Sequence, residues 1–132
     1  MKETLRLLAS FETVAPAAEA AVSRAQAQLN MRLPADYVEF LYWSNGGEGI
    51  IGETYLMLWQ VEDLAKLNIA YEVEEYAAGL LLFGSNGGGE AFAFDTQKLH
   101  WEVVRVPFVG MDKTEAIPVA TTFADFFRIL AK

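Results

Sequence analysis

Side chains along residues 34–44 recur with the period of an α-helix: Tyr37, Phe40, Leu41 and Ser44 fall at i, i+3, i+4 and i+7. Leu33 and Pro34 start this helix, with proline at a first-turn position where its missing N–H costs nothing. Asn45, Gly46 and Gly47 stop it, being residues that tolerate left-handed backbone. Upstream, residues 2–12 can form a short helix with Leu5, Leu8 and Phe11 on one side. Pro16 separates it from an alanine-rich helical stretch over 17–30, in which Val22, Ala25 and Leu29 share a face.

Beyond Gly49 the pattern shortens. Ile50-Ile51-Gly52 and Tyr55–Trp59 are β-favouring runs separated by Gly-Glu-Thr, which predicts a hairpin. Residues 61–77 return to helical spacing through Leu64, Leu67 and Tyr71, carry Glu72, Glu74 and Glu75, and end before Gly79. Leu80–Phe83 reads as a buried strand, and Glu90–Asp95 alternates as EAFAFD with Phe92 and Phe94 on one face. Glu102–Val109 and Ile117–Ala120 are further strands. Thr122 caps the last helix with Asp125 three residues on, and Phe123, Phe126, Phe127 and Leu130 form its apolar face. These elements predict one α+β domain over residues 1–132, with helices at both ends around an antiparallel or mixed sheet.

Composition narrows the function classes. With 132 residues, 53% hydrophobic and 13% aromatic, the chain can build a real core, so global disorder is excluded. A formal charge of −8 argues against nucleic acid or an anionic membrane surface as the main partner, because both need a basic face. Cysteine is absent, which removes disulfides, thiol nucleophiles and thiolate metal sites. No apolar run approaches the ~18 residues of a membrane span, and the first residues carry no apolar core of a leader. The expected compartment is therefore the cytoplasm.

The candidate chemistry is thin. The segment GSNGGGE, Gly84–Glu90, invites comparison with a phosphate loop, but it leads into a strand, contains no lysine and ends on a carboxylate. A tight strand-to-strand turn with positive φ at Gly87, Gly88 or Gly89 accounts for its glycines, and no nucleotide or other cofactor is expected there. His100 is the only histidine, so a histidine metal cluster is impossible and no metal is expected. No serine lies in a G-x-S-x-G turn. Carboxylates are abundant, and paired carboxylates can run hydrolase chemistry, but a solvated acidic face is the plainer reading.

The cassette over residues 28–47, QLNMRLPADYVEFLYWSNGG, resembles the signature of the SUKH superfamily, which includes the fungal Smi/Knr cell-wall regulators and many bacterial toxin-immunity proteins. Phe83–Asp95, with its glycine turn, acidic residue and alternating strand, and Ile117–Phe127, with its closing strand and helix, resemble family elements in the same order. Gln26 stands where members often carry glutamate, and Asn30 where glycine is usual. Asn30 can still adopt the left-handed turn. The resemblance implies a non-enzymatic protein-binding domain: an immunity protein that neutralises a cognate toxin, often a nuclease, or alternatively a regulatory interaction module. A carboxylate-based hydrolase is a further alternative. Leu33, Pro34, Tyr37, Asn45, Gly46, Gly47 and Gly87–Gly89 look structural, so the family supplies no partner residues.

A basic protein is the partner that the charge favours. Tryptophan and tyrosine are enriched at interface hot spots. The expected docking surface is therefore Trp59, Tyr71, Glu72, Glu74 and Glu75, joined by Glu48 and Glu53.

Overall fold

Residues 10–132 are described by the structure, a computed structural model. Leu5 and Leu8 of the expected first helix lie outside them. Its last part is a strand instead: β1 (Phe11–Glu12) pairs antiparallel with β2 (Gly47–Ile51), setting Phe11 opposite Gly49. The space that glycine leaves admits the backbone, and the Phe11 ring turns inward to meet Phe40 edge-on at 6.4 Å. Tertiary pairing overrides the local helical spacing here.

β2 continues into β3 (Thr54–Leu58), and β4 (Leu80–Ser85), β5 (Glu90–Asp95), β6 (Glu102–Pro107) and β7 (Ile117–Ala120) follow. The seven strands pair in chain order and every pairing is antiparallel, which settles the choice between an antiparallel and a mixed sheet. Three helices pack with one face: α1 (Glu19–Leu29), α2 (Ala35–Trp43) and α5 (Phe123–Leu130). They share a core with Leu56, Leu81, Phe83, Phe92, Phe94 and Val103. Phe126 sits at its centre, 4.9 Å from the Phe92 ring and 5.7 Å from that of Phe83. The Thr122 hydroxyl accepts the Asp125 N–H at 3.0 Å, so the cap forms, but the Asp125 carboxylate turns to Arg128 at 2.7 Å rather than back to the cap.

Between β3 and β4 the expected single helix over 61–77 is broken. A turn of 3₁₀ helix (Val61–Asp63) leads into α3 (Leu64–Ala70), and a separate turn, α4 (Val73–Tyr76), follows. The break is Glu72, held at φ 55° and ψ 42°, left-handed backbone that ends one helix and redirects the chain into the next. Val73 and Ala77 then pack with the second face of the sheet, against Leu80, Leu82, Ala91, Ala93, Val104 and Val106. EAFAFD is thus buried on both sides: its phenylalanines meet the three-helix layer and its alanines belong to the smaller core opposite. Over β2 and β3 the described residues provide no such cover for this second face, and Glu48, Ile50, Tyr55 and Met57 are exposed on it.

Candidate functional site

The cassette's stop is a buried hydrogen-bonding knot. The Ser44 hydroxyl donates to the Gly46 carbonyl at 2.7 Å and accepts the Val14 N–H at 3.0 Å. Asn45 accepts the Val61 N–H at 2.8 Å through Oδ1, and its amide donates to Glu62 at 2.7 Å. One tripeptide thereby ties the entering chain, the end of α2 and the start of the 61–77 region. Gly47 completes it at φ 122°, where an added Cβ would lie 2.5 Å from the Glu12 carbonyl oxygen. Leu33 is buried, and its N–H donates to Gln26 Oε1 at 2.8 Å. A glutamate oxygen would serve equally as that acceptor, so the departure at Gln26 keeps the contact. Asn30 takes the left-handed cap at φ 54°. Tyr37 lies in the core among Phe83, Phe94 and Phe123, and burial pushes its phenol pKa upward, keeping it neutral. Pro34 stands immediately before the helix as its cap residue.

The glycine turn joins β4 to β5. Gly87 and Gly89 have φ 72° and 99°, whereas Gly88 does not take positive φ. Asn86 Oδ1 accepts the N–H groups of Gly88 at 2.8 Å and Glu90 at 3.2 Å. Two donors that a phosphate cradle would use are therefore engaged within the turn. Gly87 lies against the Tyr55 ring, so the turn folds over the open sheet face.

The sequence-predicted docking residues fall into three groups. Trp59 and Tyr71 come together, stacked with ring centroids 6.2 Å apart and planes inclined by 12°. Phe108 extends the stack, 4.7 Å from Tyr71. Its position just past β6 placed it in an expected strand, and only the folded chain shows its partner. Tyr71 remains 41% exposed. Glu48 belongs to the open outer face beside this stack, where its carboxylate accepts the Tyr55 hydroxyl. The outward row Tyr55, Met57, Trp59 was readable from strand alternation. Glu72, Glu74 and Glu75 line a groove with residues of α1 and α3. Glu53 stands apart. It occupies the β2–β3 turn beside Gly52, which lies against the carbonyl of Leu130, about 20 Å along the strand from Trp59 at roughly 3.3 Å per residue.

Elsewhere, His100 is exposed and Trp101 is half-buried against Phe94. Among the described residues no group of three or more His, Cys, Asp or Glu side chains is placed to hold a metal ion. No helix among them is long and apolar enough to cross a membrane.

An antiparallel meander closed by an aromatic C-terminal helix, with the S-N-G-G knot at its hinge, fits a known family along nearly its whole length. The family model described as SMI1 / KNR4 family (SUKH-1) matches residues 16–129. The chain belongs to the SMI1/KNR4 family. A comparison with curated proteins finds no match. Within this SMI1/KNR4 domain the matched residues 16–129 include the knot and the aromatic core. The open outer face, the aromatic stack and the glutamate groove lie beside that scaffold.

Proposed function

We propose that this SMI1/KNR4 domain acts by stoichiometric protein binding, without catalysis, and that its partner is a basic toxin domain that it neutralises in the cytoplasm. One observation carries the reading: a sheet face that the described residues leave open runs into a partly exposed aromatic stack, with Glu48 on the same face and Glu72 next to Tyr71 in the chain. Aromatic side chains that are rigid and partly desolvated make good interface anchors, while the surrounding charge speeds encounter with an oppositely charged partner. Trp59, Tyr71, Glu72, Glu74, Glu75 and Glu48 are the proposed contacts. Glu53 falls outside them on geometry.

A net charge of −8 is complementary to the basic active-site face that a nuclease presents to its own substrate. A toxin blocked on that face loses activity through occupancy alone. The same surface also suits a regulatory partner of the Smi/Knr kind, and the family spans both roles.

The test is association kinetics with a purified cognate toxin domain, sought among the genes next to this one. Changing Glu72, Glu74 and Glu75 together to lysine should slow association by about tenfold or more at low salt, and the difference should shrink as ionic strength rises. Unchanged rate and affinity would remove the acidic face from the account. Failure of the unaltered protein to form any complex would remove the toxin reading itself.

A further inference from the structure

β4 pairs with β3 only near its end, at Ser85 and Gly84, so among the described residues Leu80–Leu82 has no strand beside it on that side. α3, α4 and the end of α1 stand over this gap and leave a groove of about 410 Å³. Its apolar lining comes from Leu29 and Met31, Ile69, Val73, and Leu80 and Leu81. Ile69 is 75% exposed at the rim. Every charged side chain that lines it, among the described residues, is a carboxylate: Glu72, Glu74 and Glu75. The neighbouring Lys66 is turned to Asp63 at 3.1 Å and takes no part in the lining.

A strand cannot be added to the open edge. Asn68 already closes it as a strand would, accepting the Leu82 N–H at 2.9 Å and donating to the Leu82 carbonyl at 3.0 Å. The Leu80 N–H is taken by the Ala77 carbonyl. Recognition in this groove must therefore come from side chains. An apolar trough with a charged rim matches a helix that offers anchors at i, i+3, i+4 and i+7 and opposite charges beside them.

We infer that the groove between α1, α3 and α4 receives a basic amphipathic helix of the partner protein. The helix seats its apolar stripe on Leu29, Met31, Ile69 and Leu80 and sets lysine or arginine side chains against Glu72, Glu74 and Glu75. This inference rests on the protein-binding reading and names the element of the partner that is recognised.

The test uses the full chain and two fluorescein-labelled peptides of leucine and lysine, each about 18 residues or roughly five helical turns. One has leucines at helical spacing, and the other has the same composition scrambled. The helical peptide should bind about tenfold more tightly than the scrambled one in fluorescence anisotropy. Ile69→Asn, at an exposed position that the fold does not need, should abolish that preference, and Glu74→Gln with Glu75→Gln should weaken binding and flatten its salt dependence. Ile50→Ser, on the open sheet face, should leave peptide affinity unchanged. Equal binding of the two peptides, no effect of Ile69→Asn, or an equal loss with Ile50→Ser would each overturn the inference. A toxin complex that forms normally with Ile69→Asn would overturn the groove and keep the toxin reading. Peptide discrimination with no toxin complex would do the reverse.

Discussion

Asn68→Ala should cost far more stability than loss of one small half-buried polar side chain suggests. Among the described residues Asn68 alone covers the β4 edge at Leu82, where it satisfies both backbone groups of a residue that is fully buried. Its amide also donates to the Leu64 carbonyl at 2.8 Å, which fixes the side chain to its own helix. Alanine leaves the Leu82 N–H and carbonyl enclosed without partners. Each orphaned buried group costs about 1–3 kcal/mol, so the expected loss for the two is about 2–6 kcal/mol. A domain of this kind has roughly 5–15 kcal/mol in total, so the change should be plain in urea unfolding at neutral pH with little change in slope. Native-state hydrogen exchange gives an independent readout, because the Leu82 amide should lose most of its protection while the Phe94 amide in the middle of the sheet keeps its own relative to global stability. Asn68→Asp keeps an acceptor for the Leu82 N–H but sets carboxylate oxygen against two carbonyls, and should recover none of the loss. A cost below about 0.5 kcal/mol with Leu82 still protected would refute the reasoning and mean that the edge is satisfied by some other group.

Two further substitutions probe the packing and the chain break. Phe126→Ala removes a fully buried ring that contacts Phe83, Phe92, Phe123 and Phe127, and should cost about 3–5 kcal/mol by calorimetry or urea unfolding; less than about 1 kcal/mol would show that α5 is peripheral. Glu72→Asn replaces a residue strained at φ 55° by one that tolerates left-handed backbone, and should stabilise the domain by about 0.5–1 kcal/mol; destabilisation would show that the glutamate side chain itself holds the turn.

Some of this fold was legible because local and tertiary preferences agree. The helix after Pro34, the alternating strand Glu90–Asp95, the closing strand Ile117–Ala120 and the Thr122 cap all lie where spacing and capping chemistry put them. Phe11 misled because its helical spacing says nothing of the glycine strand that lies beside it in space. The 61–77 helix misled for a related reason. Leu64, Leu67 and Tyr71 keep helical spacing, but glutamate carries no signal for a left-handed stop, which the chain makes at Glu72.

The docking residues show the same limit. Trp59 and Tyr71 do meet, yet their third partner, Phe108, lies just past β6, three strands away from β3 in the sheet. Which half of the outer face lies open depends on where α4 packs, and no hydrophobic pattern encodes that. Glu53 was grouped with the others by closeness in sequence, whereas the hairpin carries it to the opposite end of β3. The groove over β4 was invisible because it follows from incomplete pairing between two strands that are separated by a whole helical segment.

On the proposed function, this domain silences a basic toxin by occupying it. The most direct measurement is titration of toxin activity, alongside calorimetric stoichiometry, using the purified toxin domain expected to be encoded next to this gene. A one-to-one complex is expected, with activity that falls linearly to zero at one equivalent. Full toxin activity in the presence of excess domain would contradict it, as would silencing by a small fraction of an equivalent, which would mean turnover rather than binding.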